Sequence, residues 1–311
     1  MKKIIHYLLT HIRQDFTIKT YGLVTLFLIV CISFNYYVDL EDSIIDSYVG
    51  RPQRYLWYFL LYSFAYYGTI GILRITGQLA EKSLDKNFWV YSLFGMLVLS
   101  IEPEFSYSVG SYVSKLDNNL YYWNYKLAHE LAPLVCTLIP LVLFYTYYRP
   151  RPETFYGLTT HKVDLKPYFI MWLIMIPPII WASFQPDFLA TYPTYRSPLP
   201  DEQLGLPKGI LAFIYELAYG SAFVMTELIF RGFLVIGIAV IIGKEAILPM
   251  VVTYAFLHFG KPLGETIGAI FGGYILGVIA LYSRNIWGGV AIHLGVAWLM
   301  EVAAWIQKGL K

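Results

Sequence analysis

One carboxylate, one guanidinium and two imidazoles stand inside apolar runs in the last third of this sequence. They are Glu227 and Arg231 in Thr226-Glu227-Leu228-Ile229-Phe230-Arg231, His258 in Tyr254-Ala255-Phe256-Leu257-His258, and His293 between Ile292 and Leu294. An ionisable group at membrane depth costs about 2.5–3.5 kcal/mol on insertion scales, so each needs a partner and a reason to be there. Glu227 and Arg231 are spaced i and i+4, on one helical face where they can pair. Taken alone, such a pair can be purely structural, pinning helices together. His258 precedes Phe259-Gly260-Lys261-Pro262, which signals a helix end, and by itself reads as a hydrogen-bonded core residue. His293 lies mid-span among Gly288, Gly289, Ala291, Gly295 and Ala297, small residues that let helices approach closely. A histidine there needs a metal, a carboxylate or water. His258, His293 and Glu227 are the ligand types of a catalytic zinc site with one position left for water. They equally suit metal-free acid–base hydrolysis with a histidine-lined oxyanion site. The sequence does not separate the two. There is no H-E-x-x-H, since His129-Glu130 is followed by Leu131-Ala132-Pro133. Glu245 and Glu265 read as first-turn residues favoured by the helix dipole.

The elements that must position these residues are helices in a bilayer. The chain is 57% hydrophobic and 14% charged, where soluble domains carry about 25% charged residues. Apolar runs long enough to span recur along it, so the fold class is all-α, a polytopic membrane protein with eight or nine transmembrane helices. Residues 1–19 read as a cytoplasmic amphipathic lead and not as a cleaved signal peptide. Spans are expected at Tyr21–Val38, Leu56–Ile75, Phe88–Ile101, Leu131–Tyr147 and Pro167–Phe184, then at Ile247–Phe259, Ile267–Tyr282 and Ile286–Ile306. Between them, Gly209–Ile242 would reach roughly 50 Å as one helix, against a hydrocarbon core of about 30 Å. It is therefore a steeply tilted helix or two pieces bent near Gly220 or Gly232. Cys31 and Cys136 fall inside spans and form no disulfide framework. Loop lysines and arginines concentrate on the side of Lys2, Lys3, Arg13, Lys19, Arg74, Lys82, Lys86, Arg149, Arg151, Lys162 and Lys166, against Arg51, Arg54, Lys115, Lys126, Arg196 and Lys208 on the other, which is expected to put the N-terminus in the cytoplasm. A boundary near residue 155 is expected. Residues 1–155 would hold about four spans with almost no intramembrane charge, and residues 156–311 would hold the core with every candidate.

The three motifs resemble the CPBP intramembrane proteases, the CAAX-protease and bacteriocin-processing (ABI) family, which carries E-E-x-x-x-R, then F-x-x-x-H, then H-x-x-x-N on successive core helices. The counterparts are Thr226-Glu227-x-x-x-Arg231-Gly232-Phe233-Leu234, Tyr254-x-x-x-His258 and His293-x-x-x-Ala297. The resemblance covers roughly residues 157–304. It implies hydrolysis of a peptide bond in a membrane-associated or lipidated protein or peptide. Glu227 would activate the water, His258 would hold it directly or through a metal, His293 would stabilise the oxyanion, and Arg231 would orient Glu227. Three positions depart from the pattern. Thr226 replaces the first glutamate, Tyr254 replaces phenylalanine, a mild aromatic change, and Ala297 replaces the amide. Either Glu227 acts as base in a shifted site or catalysis has been weakened.

Two further readings follow from the same residues. One is an inactive binding or immunity protein on this fold, favoured by Thr226 and Ala297. The other is a transporter with Glu227, His258 and His293 as a proton relay, disfavoured by the lack of internal symmetry. The expected partners are the bilayer and a membrane protein or peptide substrate, with no nucleic acid, and the expected location is a bacterial inner membrane.

Overall fold

Apolar periodicity becomes helix along almost the whole chain. A computed structural model describes residues 1–159, 164–196 and 200–309; His161 and Lys162 of the long connection lie outside them. Helices α1 (Lys2–Asp15), α2 (Ile18–Val38), α3 (Gln53–Ile75), α4 (Lys86–Ser114), α5 (Tyr121–Cys136), α6 (Leu138–Tyr147) and α7 (Lys166–Ala182) come first. Short α8 (Pro186–Thr191) and α9 (Asp201–Leu204) follow, then α10 (Lys208–Glu227), α11 (Ala239–Ile242), α12 (Ile247–Phe256), α13 (Leu263–Ser283) and α14 (Trp287–Gly309). No strand occurs among the described residues. Seven stretches are long and apolar enough to cross a membrane, with α7 a shorter apolar helix beside them. The protein is a polytopic all-α membrane protein.

The stretch from Gly209 to Ile242 is continuous, and its register changes where the chemistry is. The α-helix ends at Glu227 and a π-helical segment runs from Leu228 to Gly237, buried throughout. Wider π turns are rare and cluster at functional sites. Glycine makes this segment possible. A Cβ at Gly232 would stand 2.7 Å from the Tyr156 carbonyl oxygen, so the loop at Tyr156 can press directly on the helix only because 232 has no side chain.

Two spans differ from expectation. α4 does not stop at Ile101 but continues through Pro103 to Ser114. Within the continued helix, Glu104 is 2% exposed and paired with Arg54 at 3.4 Å. Arg54 also meets Asp46 at 2.7 Å. A carboxylate with a guanidinium partner need not end a helix at the interface. Beyond it, Ser106, Gly110 and Ser114 let α5 lie close. The expectation that the first spans carry almost no buried charge is therefore wrong. The helix of the fourth span begins at Tyr121 instead of Leu131, with Glu130 buried inside it.

The hydrophobic core draws on both sides of residue 155. Tyr62, Tyr66, Tyr91 and Met96 pack in one cluster with Phe233, Met250, Tyr254 and Phe256. The small residues of α14 do what their spacing predicts. Gly288 faces the Tyr168 ring and Gly295 the Trp172 ring, both on α7, while Gly220 of α10 lies under Leu294 and Trp298. α14 is thus clamped between α7 and α10, which fixes the depth of His293.

Candidate active site

Glu227 is the last residue of α10, fully buried, and everything around it is arranged on its Oε1. Nη1 of Arg231, one turn on and within the π segment, stands 3.0 Å from that oxygen. Nδ1 of His293, from α14, stands 3.0 Å from the same oxygen. Helix α14 can bring His293 this close because Gly289, one turn before it, has no Cβ; one placed there would be 3.1 Å from Glu227 Cδ and nearer still to Oε2. Oε2 itself is buried with no hydrogen-bond partner among the described residues.

A carboxylate only accepts, so in this bond Nδ1 of His293 carries the proton and Nε2 is the lone-pair nitrogen. Nε2 faces the Tyr254 hydroxyl at 3.3 Å. The Tyr254 ring is sandwiched by charge and apolar surface. The Arg231 guanidinium lies 4.1 Å from its centroid and the Phe230 ring is 5.0 Å away, edge-on. Phe223 covers His293 at 4.6 Å between centroids. His293 nonetheless keeps 16% of its side chain accessible, where Glu227 has none and Arg231 1%. The imidazole is the point where the buried charges meet the outside of the bundle.

His258 sits in the turn after α12 and donates Nδ1–H to the Tyr254 carbonyl at 2.8 Å. Its ring is 4.6 Å from the Tyr254 ring, and Tyr254 stands between it and His293, whose centroid is 6.2 Å from that ring. Three of the four residues expected from sequence are therefore in direct contact, and His258 joins them through Tyr254.

The turn carrying His258 is tied to the N-terminal half. Asn35, at the end of α2, donates Nδ2–H to the Phe259 carbonyl at 3.1 Å. The Tyr36 hydroxyl bonds the Lys261 carbonyl at 2.6 Å and the Thr266 hydroxyl at 2.7 Å, and Thr266 in turn donates to the His258 carbonyl at 2.6 Å. The ties from Asn35 and Tyr36 are not visible in the sequence, because they pair residues far apart in the chain. Tyr254 had a signal: a hydroxyl at an aromatic core position needs a partner when buried.

As placed, Glu227, His258 and His293 do not fit one divalent cation. Glu227 Oε1 is already held by His293 and Arg231, and a cation on that carboxylate would stand against the guanidinium charge. His293 has one nitrogen on Glu227 and the other on Tyr254. Among the described residues, the three-donor group with ligand atoms within 4.8 Å of one another is Glu41, Asp42 and Asp46, just past the end of α2, with Glu41 and Asp42 lying against Gly260 of the turn that carries His258.

Residues 207–299 match the family model described as type II CAAX prenyl endopeptidase Rce1-like. No curated protein and no solved structure matches the chain. The matched stretch runs from the start of α10 to α14 and contains every residue of the cluster around Glu227. Motif order, spacing and this match agree: in its C-terminal core the chain is similar to the CAAX-type membrane proteases.

Proposed function

We propose that this protein is an intramembrane endopeptidase that hydrolyses a peptide bond of a membrane-associated or lipidated protein, without a metal, using His293 as general base. The observation that carries the reading is the contact of Glu227 Oε1 with His293 Nδ1 at 3.0 Å, backed by Arg231 on the same oxygen. Glu227 holds the imidazole in the tautomer whose Nε2 carries the lone pair, beside the Tyr254 hydroxyl, and stabilises the imidazolium once a proton arrives. Arg231 supplies a counter-charge to the carboxylate at a depth where an unpaired one would be costly. Water bound at Nε2 loses its proton to His293 as it attacks the scissile carbonyl. The imidazolium then protonates the leaving amine. Thr226 is not needed in this scheme, because its hydroxyl bonds the Ala222 carbonyl at 3.1 Å, within its own helix.

The Rce1-like description names prenylated CAAX tails as that family's substrates, and a lipidated C-terminal peptide is the first substrate to try. The positive side of the loop charges supports a cytoplasmic N-terminus in a bacterial inner membrane. Thr226 and Ala297, both departures from the family motifs, support a second reading in which the same pocket binds a peptide without cleaving it.

Cleavage of such a peptide by the purified protein in detergent tests the proposal, with wild type, Glu227→Gln and His293→Ala compared with and without chelator. Each substitution is expected to lower kcat by about 10³-fold or more, the scale seen when a base or its orienting carboxylate is lost. The chelator is expected to have no effect. Cleavage abolished by chelator and restored by zinc would overturn the metal-free scheme. Binding without cleavage in wild type would favour the second reading.

A further inference from the structure

The residue at 254 distinguishes this chain from the motif it otherwise follows. A phenylalanine there would fill the same space between Arg231 and Phe230. The hydroxyl adds one thing, a donor 3.3 Å from Nε2 of His293. A water at ordinary hydrogen-bond distance from Nε2 is then within reach of the tyrosine oxygen as well, since three such distances close a triangle. On the other side, the position one turn after His293 that should carry an amide is Ala297, which donates nothing and is packed among Trp123, Tyr215 and Tyr219. The chain has lost one donor beside the imidazole and holds another in a different place.

We propose that the Tyr254 hydroxyl is a catalytic group of this protein, holding the attacking water jointly with His293 and then donating to the oxyanion. The inference rests on the hydrolytic reading above. As the water oxygen bonds to the carbonyl carbon, its proton passes to Nε2 and the carbonyl π pair moves onto oxygen. The phenol O–H donates to that oxygen and keeps its own proton. When the intermediate collapses, the C–N bond breaks and the proton on Nε2 goes to the amine. The ring is fixed for this task by Arg231 on its face and by the His258 turn, whose Nδ1–H holds the Tyr254 carbonyl.

Tyr254→Phe tests it, because the variant keeps the ring and restores the residue of the family motif. Loss of one oxyanion donor lowers kcat by about 10²-fold or more; we expect about 100-fold in kcat, KM within about twofold, and an unchanged thermal midpoint in detergent. A Tyr254→Phe protein with wild-type kcat overturns the role of the hydroxyl while leaving the hydrolytic reading intact. A wild type that cleaves nothing removes both. Should Tyr254→Phe lower the thermal midpoint, 3-fluorotyrosine at 254 decides. Its more acidic phenol loses the donating proton earlier, so the alkaline loss of kcat is expected at lower pH than in wild type, and an unmoved limb overturns the proposal.

Discussion

Gly289→Ala is the sharpest probe of the geometry around Glu227. The added methyl would lie 3.1 Å from Glu227 Cδ, 3.9 Å from Cγ and closer still to Oε2. Backbone cannot yield, because α14 is already pressed against Tyr168 at Gly288 and against Trp172 at Gly295. The carboxylate has to move instead, by about 1 Å to reach an ordinary contact of about 3.5 Å. That displacement stretches or breaks both 3.0 Å contacts of Oε1, to His293 and to Arg231. A shift of this size in a catalytic group costs about 10²-fold in rate, and overpacking a filled site costs about 1–3 kcal/mol of stability. We therefore expect kcat/KM to fall by about 100-fold in a detergent cleavage assay, with a thermal midpoint lower by a few degrees. Gly268→Ala and Gly272→Ala on α13 are the controls. A Cβ at either meets nothing within 4 Å, so alanine there should be neutral or stabilise by up to about 1 kcal/mol. Wild-type rate and midpoint in Gly289→Ala would mean that the carboxylate does not lie against residue 289, and the argument for His293 as its partner would fall with it.

Thr226→Glu restores the glutamate of the family motif, but Glu227 and His293 are already engaged without it; the cleavage rate should stay within a few-fold of wild type, and a gain approaching 100-fold would return the base to position 226. Burial, reinforced by Asp46 and Asp42 and opposed by the Tyr58 hydroxyl, pushes the Glu41 carboxyl from its usual 4.5 up to about 7. The folded protein therefore holds this proton to higher pH than the unfolded chain does. The stability it contributes is complete below about pH 4.5 and lost as pH rises through about 7. At about 1.4 kcal/mol per unit, the loss is at most about 3–4 kcal/mol. Thermal midpoints in detergent should fall less between pH 5 and pH 8 in Glu41→Gln than in wild type; equal slopes would remove Glu41 as the cause.

How much of this was readable beforehand depended on whether the determinant was local. The spans, the partnership of Glu227 with Arg231 and the small-residue face of α14 were legible, since each follows from spacing along one helix. The π segment was not. Its length condition was visible as a run too long for the bilayer, but the change of register after Glu227 depends on Tyr156 packing over Gly232 from another part of the chain. The span expected to end at Ile101 was drawn too short, because the pairing of Glu104 with Arg54 joins two helices and leaves no trace in either. At Tyr254 the substitution was plain to see, yet treating it as one aromatic for another passed over the oxygen, the atom that reaches His293.

The bonds from Asn35 and Tyr36 to the turn bearing His258 have a consequence for how the protein can be divided. A fragment starting at residue 156 would retain every motif residue, yet it would leave the Phe259 and Lys261 carbonyls facing lipid or bulk water. The opening helices thus buttress the cluster around Glu227 from outside, and a minimal fragment cut from the family-matched stretch alone would lack the brace that keeps one of its two imidazoles in place.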